Sequence, residues 1–366
     1  MNEEKIQVED DLSILWHMLK VTSEGDSFYK PTNYWDFYQK RFLPELKNLG
    51  LGDFRRRKNS ILGSFNGTDL KPYPEIGVKL PRGGTWIGRC ITQIINWLPL
   101  VHFKINGLRE NEIVHLLYWF VKNSFEKQGL EIKNCSANNI GNPENICEID
   151  GAFWTLTHLK LCNTFISGIK HFDFPKDAIV CELGTGMGRN IEIMASLYPE
   201  CTFVMFDIPP QLYVANQYLK KVFEDRVIPF EQAYGLDMTD KSVVSDELKG
   251  KIIILPAVRM PMWSSLKINL FWNSDSFQEM EPDIVENYLN LVKKMNPEGI
   301  YINAIPEGNY WGKQYLGGGG TKNRVTGNLY KTYLSEAYEL TNEFFTTLYS
   351  PQSEQFSYIF KNRKSL

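Results

Sequence analysis

The sequence predicts an α/β chain: a parallel sheet with helices on both faces, preceded by a mainly helical N-terminal region. Three observations predict it. From Ala178 onward, short apolar runs alternate with stretches of helical spacing, the pattern of strands joined by helical crossovers. A glycine-rich turn, "ELGTGMG" at Glu182–Gly188, separates the first such strand from the first helix. Up to about residue 130, apolar residues recur instead at steps of three and four.

The N-terminal helices read as "DDLSILWHMLKVT", "YWDFYQKRFLPELKNL" and "NEIVHLLYWFVKNSFEKQG", the last stopped by Gly129. Between the second and third, "GTDLKPYPEIGVKLPRGGTW" is a long loop rich in Pro and Gly. The basic run "FRRRKNS" at Phe54–Ser60 reads as a solvated face, with a phosphate grip as the alternative. A Gly/Asn/Pro cluster, Cys135–Gly151, marks the boundary between residues 1–134 and residues 135–366. "FWTLTHLKLCNTFISGIK" then leads in as a helix. "AIVCEL", "TFVMFD", "KIIIL", "INLFW" and "GIYINAI" are buried strands. "RNIEIMASLYP", "PQLYVANQYLKKVF" and "PDIVENYLNLVKKM" are helices between them. "EFFTTLYS" and "QFSYIFKN" close the chain as a hairpin.

A chain of 366 residues exceeds most single cores, so two domains, or one with a large appendage, are expected. The formal charge of −3 gives no bulk field toward nucleic acid or anionic lipid. The six cysteines form no CxxC pair, which fits a reducing cytoplasm. The N-terminus is acidic where a signal peptide is basic, and no apolar run reaches membrane-span length. No integral membrane segment is therefore expected, although a lipid-linked substrate remains compatible.

Ligands of open α/β sheets sit beyond the C-terminal strand ends, where the glycine turn falls. A phosphate loop needs Lys followed by Ser or Thr after its glycines; here Arg189 and Asn190 follow Gly188. A dinucleotide turn needs G-x-G-x-x-G, and its third glycine position is occupied by Arg189. The spacing present is G-x-G-x-G: Gly184, Gly186, Gly188. That spacing suits S-adenosylmethionine, which has no pyrophosphate to neutralise. Glu182 at the strand end can hold the ammonium side. The glycines and Thr185 let the backbone approach the ligand. Asp207, ending the second strand, can accept both ribose hydroxyls. A turn that serves only helix–strand packing is the bland alternative, and a dehydrogenase is the rival enzyme.

With these residues in place, the chain resembles the class I S-adenosylmethionine-dependent methyltransferases, and more narrowly the sugar O-methyltransferase family. The residues that carry the resemblance are "ANNIGNPENICEIDG", "CELGTGMGRNIEIMASLYP", "FDIPPQLYVANQYL" and "FWNSDSFQEMEPDIVENYL", together spanning roughly Cys135 to Gly308. The resemblance implies a seven-stranded Rossmann-like sheet over residues 135–366. It also implies methylation of a sugar hydroxyl in surface glycan (polysaccharide biosynthesis) or glycosylated metabolite assembly. "FDIPPQL" is also similar to small-molecule O-methyltransferases whose histidine base follows the fourth strand. Gln278 stands at that position here and cannot take a proton. His17, His102, His115, His158 and His171 all precede the glycine turn. The base is therefore a carboxylate at the strand ends or a group from the N-terminal part.

Glu279 is the preferred base and Asp275 the second candidate. Asn273 and Ser274 are assigned to the methionine end of the cofactor, Ala257 and Val258 to the adenine, and Ile208 and Gln211 to the cofactor without a finer place. Gln278, Tyr310 and Trp311 are assigned to the substrate. Tyr310 and Trp311 lie in a glycine-rich loop, residues 307–334, that can act as a lid. Magnesium is a second candidate ligand through Asp275, Glu279 and Glu307, although nothing in their spacing demands it. Residues 1–134 are expected to cap the substrate or to join subunits. Non-sugar acceptors and a cofactor-binding homologue without turnover are the alternatives.

Overall fold

The computed structural model describes residues 8–56, 110–143, 146–173, 175–308, 321–346 and 355–364. The N-terminal helices are α1 (Leu12–Glu24), α2 (Asn33–Leu49) and α3 (Glu110–Glu126). Asp11 starts α1, its carboxylate accepting from the Ser13 amide at 2.9 Å. The proline-rich loop and the second half of the basic run lie outside the described residues.

After α3 the chain makes a hairpin, β1 (Cys147–Ile149) against β2 (Ala152–Trp154). The sequence had suggested helix from Phe153. The reason for the difference is local. Asp150 and Gly151 adopt φ of 55° and 73°, the left-handed pair that a two-residue hairpin turn requires. Helix α4 therefore starts only at Leu156 and runs to Ile169, capped by the Thr155 hydroxyl.

The main sheet contains β3 (Ile179–Leu183), β4 (Thr202–Asp207), β5 (Val227–Ile228), β6 (Ile252–Pro256) and β7 (Leu270–Ser274). It continues with β8 (Gly299–Ala304), β9 (Tyr338–Phe345) and β10 (Phe356–Asn362). Its order is β5-β6-β4-β3-β7-β8-β10-β9. Pairings are parallel except those of β10, which runs antiparallel to both β8 and β9. Seven of these eight strands overlap runs the sequence predicts, although β9 shares only Glu343–Phe345 with the predicted run 343–350. The eighth, β5, is two residues long, too short to leave a periodic signal. Helices α5 (Arg189–Leu197), α6 (Pro209–Phe223), α7 (Pro282–Met295) and α8 (Gly327–Leu334) complete the fold. The sequence predicts a loop where α8 stands.

Both faces of the sheet are covered, which explains the unbroken apolar strands. In β4, Phe203 and Met205 enter one core while Val204 and Phe206 enter the other. The first core also takes in Leu15, Met18 and Phe42 of α1 and α2, so the N-terminal helices pack on the sheet's own helices. The strand order turns back on itself at β3, flanked by β4 and β7. That reversal opens a crevice at Leu183, Asp207 and Ser274, their C-terminal ends.

Candidate active site

The glycine turn folds over the end of β3 with all three glycines at positive φ: 76° at Gly184, 59° at Gly186 and 83° at Gly188. Two of them also allow a close approach. A Cβ on Gly184 would stand 2.2 Å from Ser276 Cβ, and one on Gly188 2.6 Å from Leu219 Cδ1. A Cβ on Gly186 would meet nothing within 4 Å, because this glycine faces the crevice. Gly184→Ala is expected to cost roughly 2–4 kcal/mol of stability, combining a left-handed backbone with overpacking. Chemical denaturation of the variant measures it.

Asp207 accepts from the Gly186 amide at 2.5 Å and from the Ile208 amide at 2.6 Å. The same carboxylate thus braces the turn and faces the crevice. Burial pushes it up to about 7 against the pull of these two amides. Glu182 lies deeper. It is fully buried, its Oε1 accepts from Asn190 Nδ2 at 2.8 Å, and burial raises it to about 7. It sits behind the turn rather than on the cavity wall, as does Thr185.

A cavity of about 190 Å³ occupies the crevice. Its floor is Leu183, Gly184, Gly186, Asp207, Ile208 and Gln211; Ala257 and Ser274–Ser276 form one side. Val258 stands off the wall, packed near Gly25. Asn273 is buried beneath the wall, its amide donating to Leu183 O at 2.9 Å and Ser276 Oγ at 2.7 Å. It ties the end of β7 to that of β3.

Asp275 adopts φ 67°, rare for a non-glycine residue, and its Oδ1 accepts from Gln278 Nε2 and Gln355 Nε2. Burial lifts it to about 6. Gln278 accepts from the Ile305 amide at 2.7 Å and is not part of the cavity wall. It links Asp275 to the end of β8. Glu279 lies on the wall. Burial, then the neighbouring Asp275 carboxylate, raise it well above the usual range, while the Tyr34 hydroxyl and the Trp35 side chain donate to it and oppose the rise.

The rest of the wall comes from residues that the sequence did not single out: Lys30, Pro31, Thr32 and Trp35, together with Met280, Ile284 and Tyr288. Lys30 Nζ donates to Ser23 O at 2.7 Å. No local motif marks these N-terminal positions. Among the described residues no histidine lines the cavity. His158 is buried, with Arg189 Nη2 donating to its Nδ1 and its Nε2 donating to Cys135 O, each at 2.6 Å. Burial beside Arg189 depresses it, so it stays neutral. Tyr310 and Trp311 lie outside the described residues. Among the described residues no group of three His, Cys, Asp or Glu side chains could hold a metal ion, so the magnesium expectation finds no support. Nor is any described helix long and apolar enough to cross a membrane.

Residues 158–249, which include α4, the glycine turn, Asp207 and α6, match the family model described as the O-methyltransferase domain. No curated protein matches the chain. Among solved structures, it is similar to magnesium protoporphyrin IX methyltransferase from Synechocystis PCC 6803. That alignment has 11% identity and a TM-score of 0.34, over 50% of this chain and 74% of that one. It is also similar to the mitomycin 7-O-methyltransferase (11% identity, TM-score 0.37, 57% of this chain and 54% of that one). A third is human N-acetylserotonin methyltransferase (15% identity, TM-score 0.32, 56% of each chain). The chain spans little more than half the length of the last two. The domain match, falling on a mostly parallel sheet with a glycine turn at its point of reversal, supports a methyltransferase.

Proposed function

We propose that the chain is an S-adenosylmethionine-dependent O-methyltransferase in which Glu279 takes the proton of an acceptor hydroxyl. One observation carries this reading: a single cavity joins Gly186 and Asp207 to Glu279. The residues present fit the cofactor. Gly186 leaves open space where a side chain would intrude, and the buried Gln211 Oε1 on the wall has no hydrogen-bond partner among the described residues. Three carboxylates, Asp207, Asp275 and Glu279, line the cavity, a setting that favours a cation.

When bound, S-adenosylmethionine supplies a methyl group on a good leaving group. Asp207 and Gln211 would hold its ribose side, Ala257 its adenine, and Gly184 and Ser274 its methionine end. Glu279 accepts the proton of the hydroxyl, a contribution worth about 10²–10⁴-fold. Orientation of acceptor and donor can supply roughly 7–11 kcal/mol more. In this reading Lys30, Pro31, Thr32 and Trp35 cap the acceptor, and residues 135–366 are the methyltransferase domain.

The finer reading takes the acceptor as a sugar hydroxyl, supported by the resemblance carried by "FDIPPQLYVANQYL" and "FWNSDSFQEMEPDIVENYL". Trp35 offers a ring on which a sugar could stack. A non-sugar small molecule is the second reading, favoured by the apolar wall of Met280, Ile284 and Tyr288. Labelled S-adenosylmethionine, incubated with nucleotide sugars, glycans and hydroxylated aromatics, tests both through a mass gain of one methyl. No methylated product from a protein that binds the cofactor removes the enzymatic reading.

Cofactor affinity is expected to fall as pH drops through about 7, where Asp207 takes up its proton and loses acceptor capacity. The sign follows from the cofactor preferring the ionised carboxylate. Calorimetric titration between pH 8 and pH 6 measures it, and a flat profile removes Asp207 from the ribose site.

A further inference from the structure

The segment that joins α1 to α2 crosses the crevice. Gly25 ends α1 and lies against Val258, just past β6: a Cβ on Gly25 would stand 2.7 Å from Val258 Cγ1. Tyr29 is buried edge-on against Tyr288 of α7, ring centroids 5.4 Å apart. Thr32 donates its Oγ1 to the backbone oxygen of Glu279, in the turn after β7, at 3.2 Å. In the sheet, β4 and β3 lie between β6 and β7. The two end contacts therefore flank the strand ends that present Asp207 and the glycine turn. The reach suffices: the seven residue steps from Gly25 to Thr32 can span up to about 23–25 Å, and the three strand spacings take about 14 Å. Lys30, Pro31 and Thr32 line the cavity on the way.

We propose that residues 25–32 form a strap over the cofactor cleft, and that its lifting is the step by which S-adenosylmethionine enters and S-adenosylhomocysteine leaves. The proposal rests on the reading of the cavity as the cofactor site.

The strap is built as a unit that is lightly attached. Asp26 accepts from the Phe28 amide at 2.9 Å and caps a tight helical turn, Ser27–Tyr29. Lys30 Nζ donates back to Ser23 O, in the last turn of α1, at 2.7 Å. These bonds lie within the segment and its own helix, so lifting need not break them. Asp26, Ser27 and Phe28 are exposed, and Tyr29 is the one buried residue from Gly25 to Thr32. Attachment through one buried ring, one hydrogen bond and one close approach belongs to the low-stability end of a fold, from which gates are drawn.

A gate has its own kinetic signature. Gly25 and Tyr29 are not on the cavity wall, so loosening either one destabilises the closed strap equally with and without ligand. Association and dissociation then accelerate by the same factor, and Kd stands still. A residue that merely contacts the ligand changes the dissociation rate and Kd together.

Tyr29→Leu keeps an apolar side chain but loses the ring pair. Gly25→Ala forces Val258 and the strap apart. In the full chain, stopped-flow tryptophan fluorescence follows the association of S-adenosylmethionine, with Trp35 on the cavity wall as a reporter. Displacement by excess S-adenosylhomocysteine gives the dissociation rate. Both rate constants are expected to rise about three- to tenfold in Tyr29→Leu, the worth of an aromatic pair, with Kd within about twofold. Gly25→Ala should act in the same direction.

Unchanged rates in folded Tyr29→Leu overturn the proposal, and so does faster dissociation alone with Kd rising in step. If Tyr29→Leu does not fold, Gly25→Ala carries the same readouts. Failure of the cofactor reading is visible separately: wild-type protein then binds neither compound.

Discussion

Glu279→Gln lowers kcat by roughly 10²–10⁴-fold, the worth of a positioned base, while the affinity for S-adenosylmethionine changes by less than about threefold. The amide keeps the size of the carboxyl and one acceptor oxygen. What it loses is the capacity to take a proton. Parallel measurement of kcat and of cofactor binding separates that loss from misfolding. Asp275 is the control. Its carboxylate is engaged by Gln278 and Gln355, so Asp275→Asn should disturb the shape of the wall more than proton transfer. Wild-type turnover in Glu279→Gln would move Asp275 to first place.

Asp207→Ala is expected to weaken cofactor binding by about 100-fold or more, the loss of up to two hydrogen bonds to a charged acceptor. The structure adds a second cost. Asp207 also accepts from the Gly186 and Ile208 amides, so its removal leaves two part-buried donors unpaired and the glycine turn unbraced. A stability loss of about 1–3 kcal/mol should accompany the loss of affinity. Asp207→Asn, which retains one acceptor oxygen, should fall between wild type and alanine in both. Calorimetric titration and denaturant unfolding measure the two effects independently. Unchanged affinity in a folded Asp207→Ala variant would remove the ribose assignment.

The parts of the site legible in the sequence are those in which a short stretch dictates its own geometry. Gly184, Gly186 and Gly188 all take up left-handed backbone, and their spacing marks a turn that Arg189 and Asn190 after it distinguish from a phosphate loop. Asp207 follows from its place at the end of a buried strand, since every strand end at the sheet reversal opens on the same crevice. Helix α7 runs over Pro282–Met295, the span its periodicity predicts. Other features depended on weaker local signals. The hairpin β1–β2 hid in a Gly/Asn/Pro cluster, and α8 in a loop that also contains the Gly317–Gly320 run.

Side-chain roles were less legible than backbone. Asn273 and Gln278 stand at strand-end positions that suggest ligand contact. Their amides instead bond to Leu183 and Ser276, and to Asp275 and Ile305, holding three strand ends together. A sequence pattern cannot distinguish these uses, because a polar side chain at a strand end can point at a ligand or at a neighbouring loop.

By itself, the sequence determined the α/β alternation, the glycine turn and the acid that faces it, because each depends on contacts within a few residues or on strand periodicity. Only the tertiary structure decided which residues share the cavity. Thr32 and Trp35 share the cavity with Glu279 because α1 and α2 pack on the sheet's own helices in the first core, and that packing joins Thr32 to Glu279, 247 positions apart. Hydrophobic burial brings such segments together without leaving a local motif, since the force is non-directional and depends on buried area rather than on order in the chain.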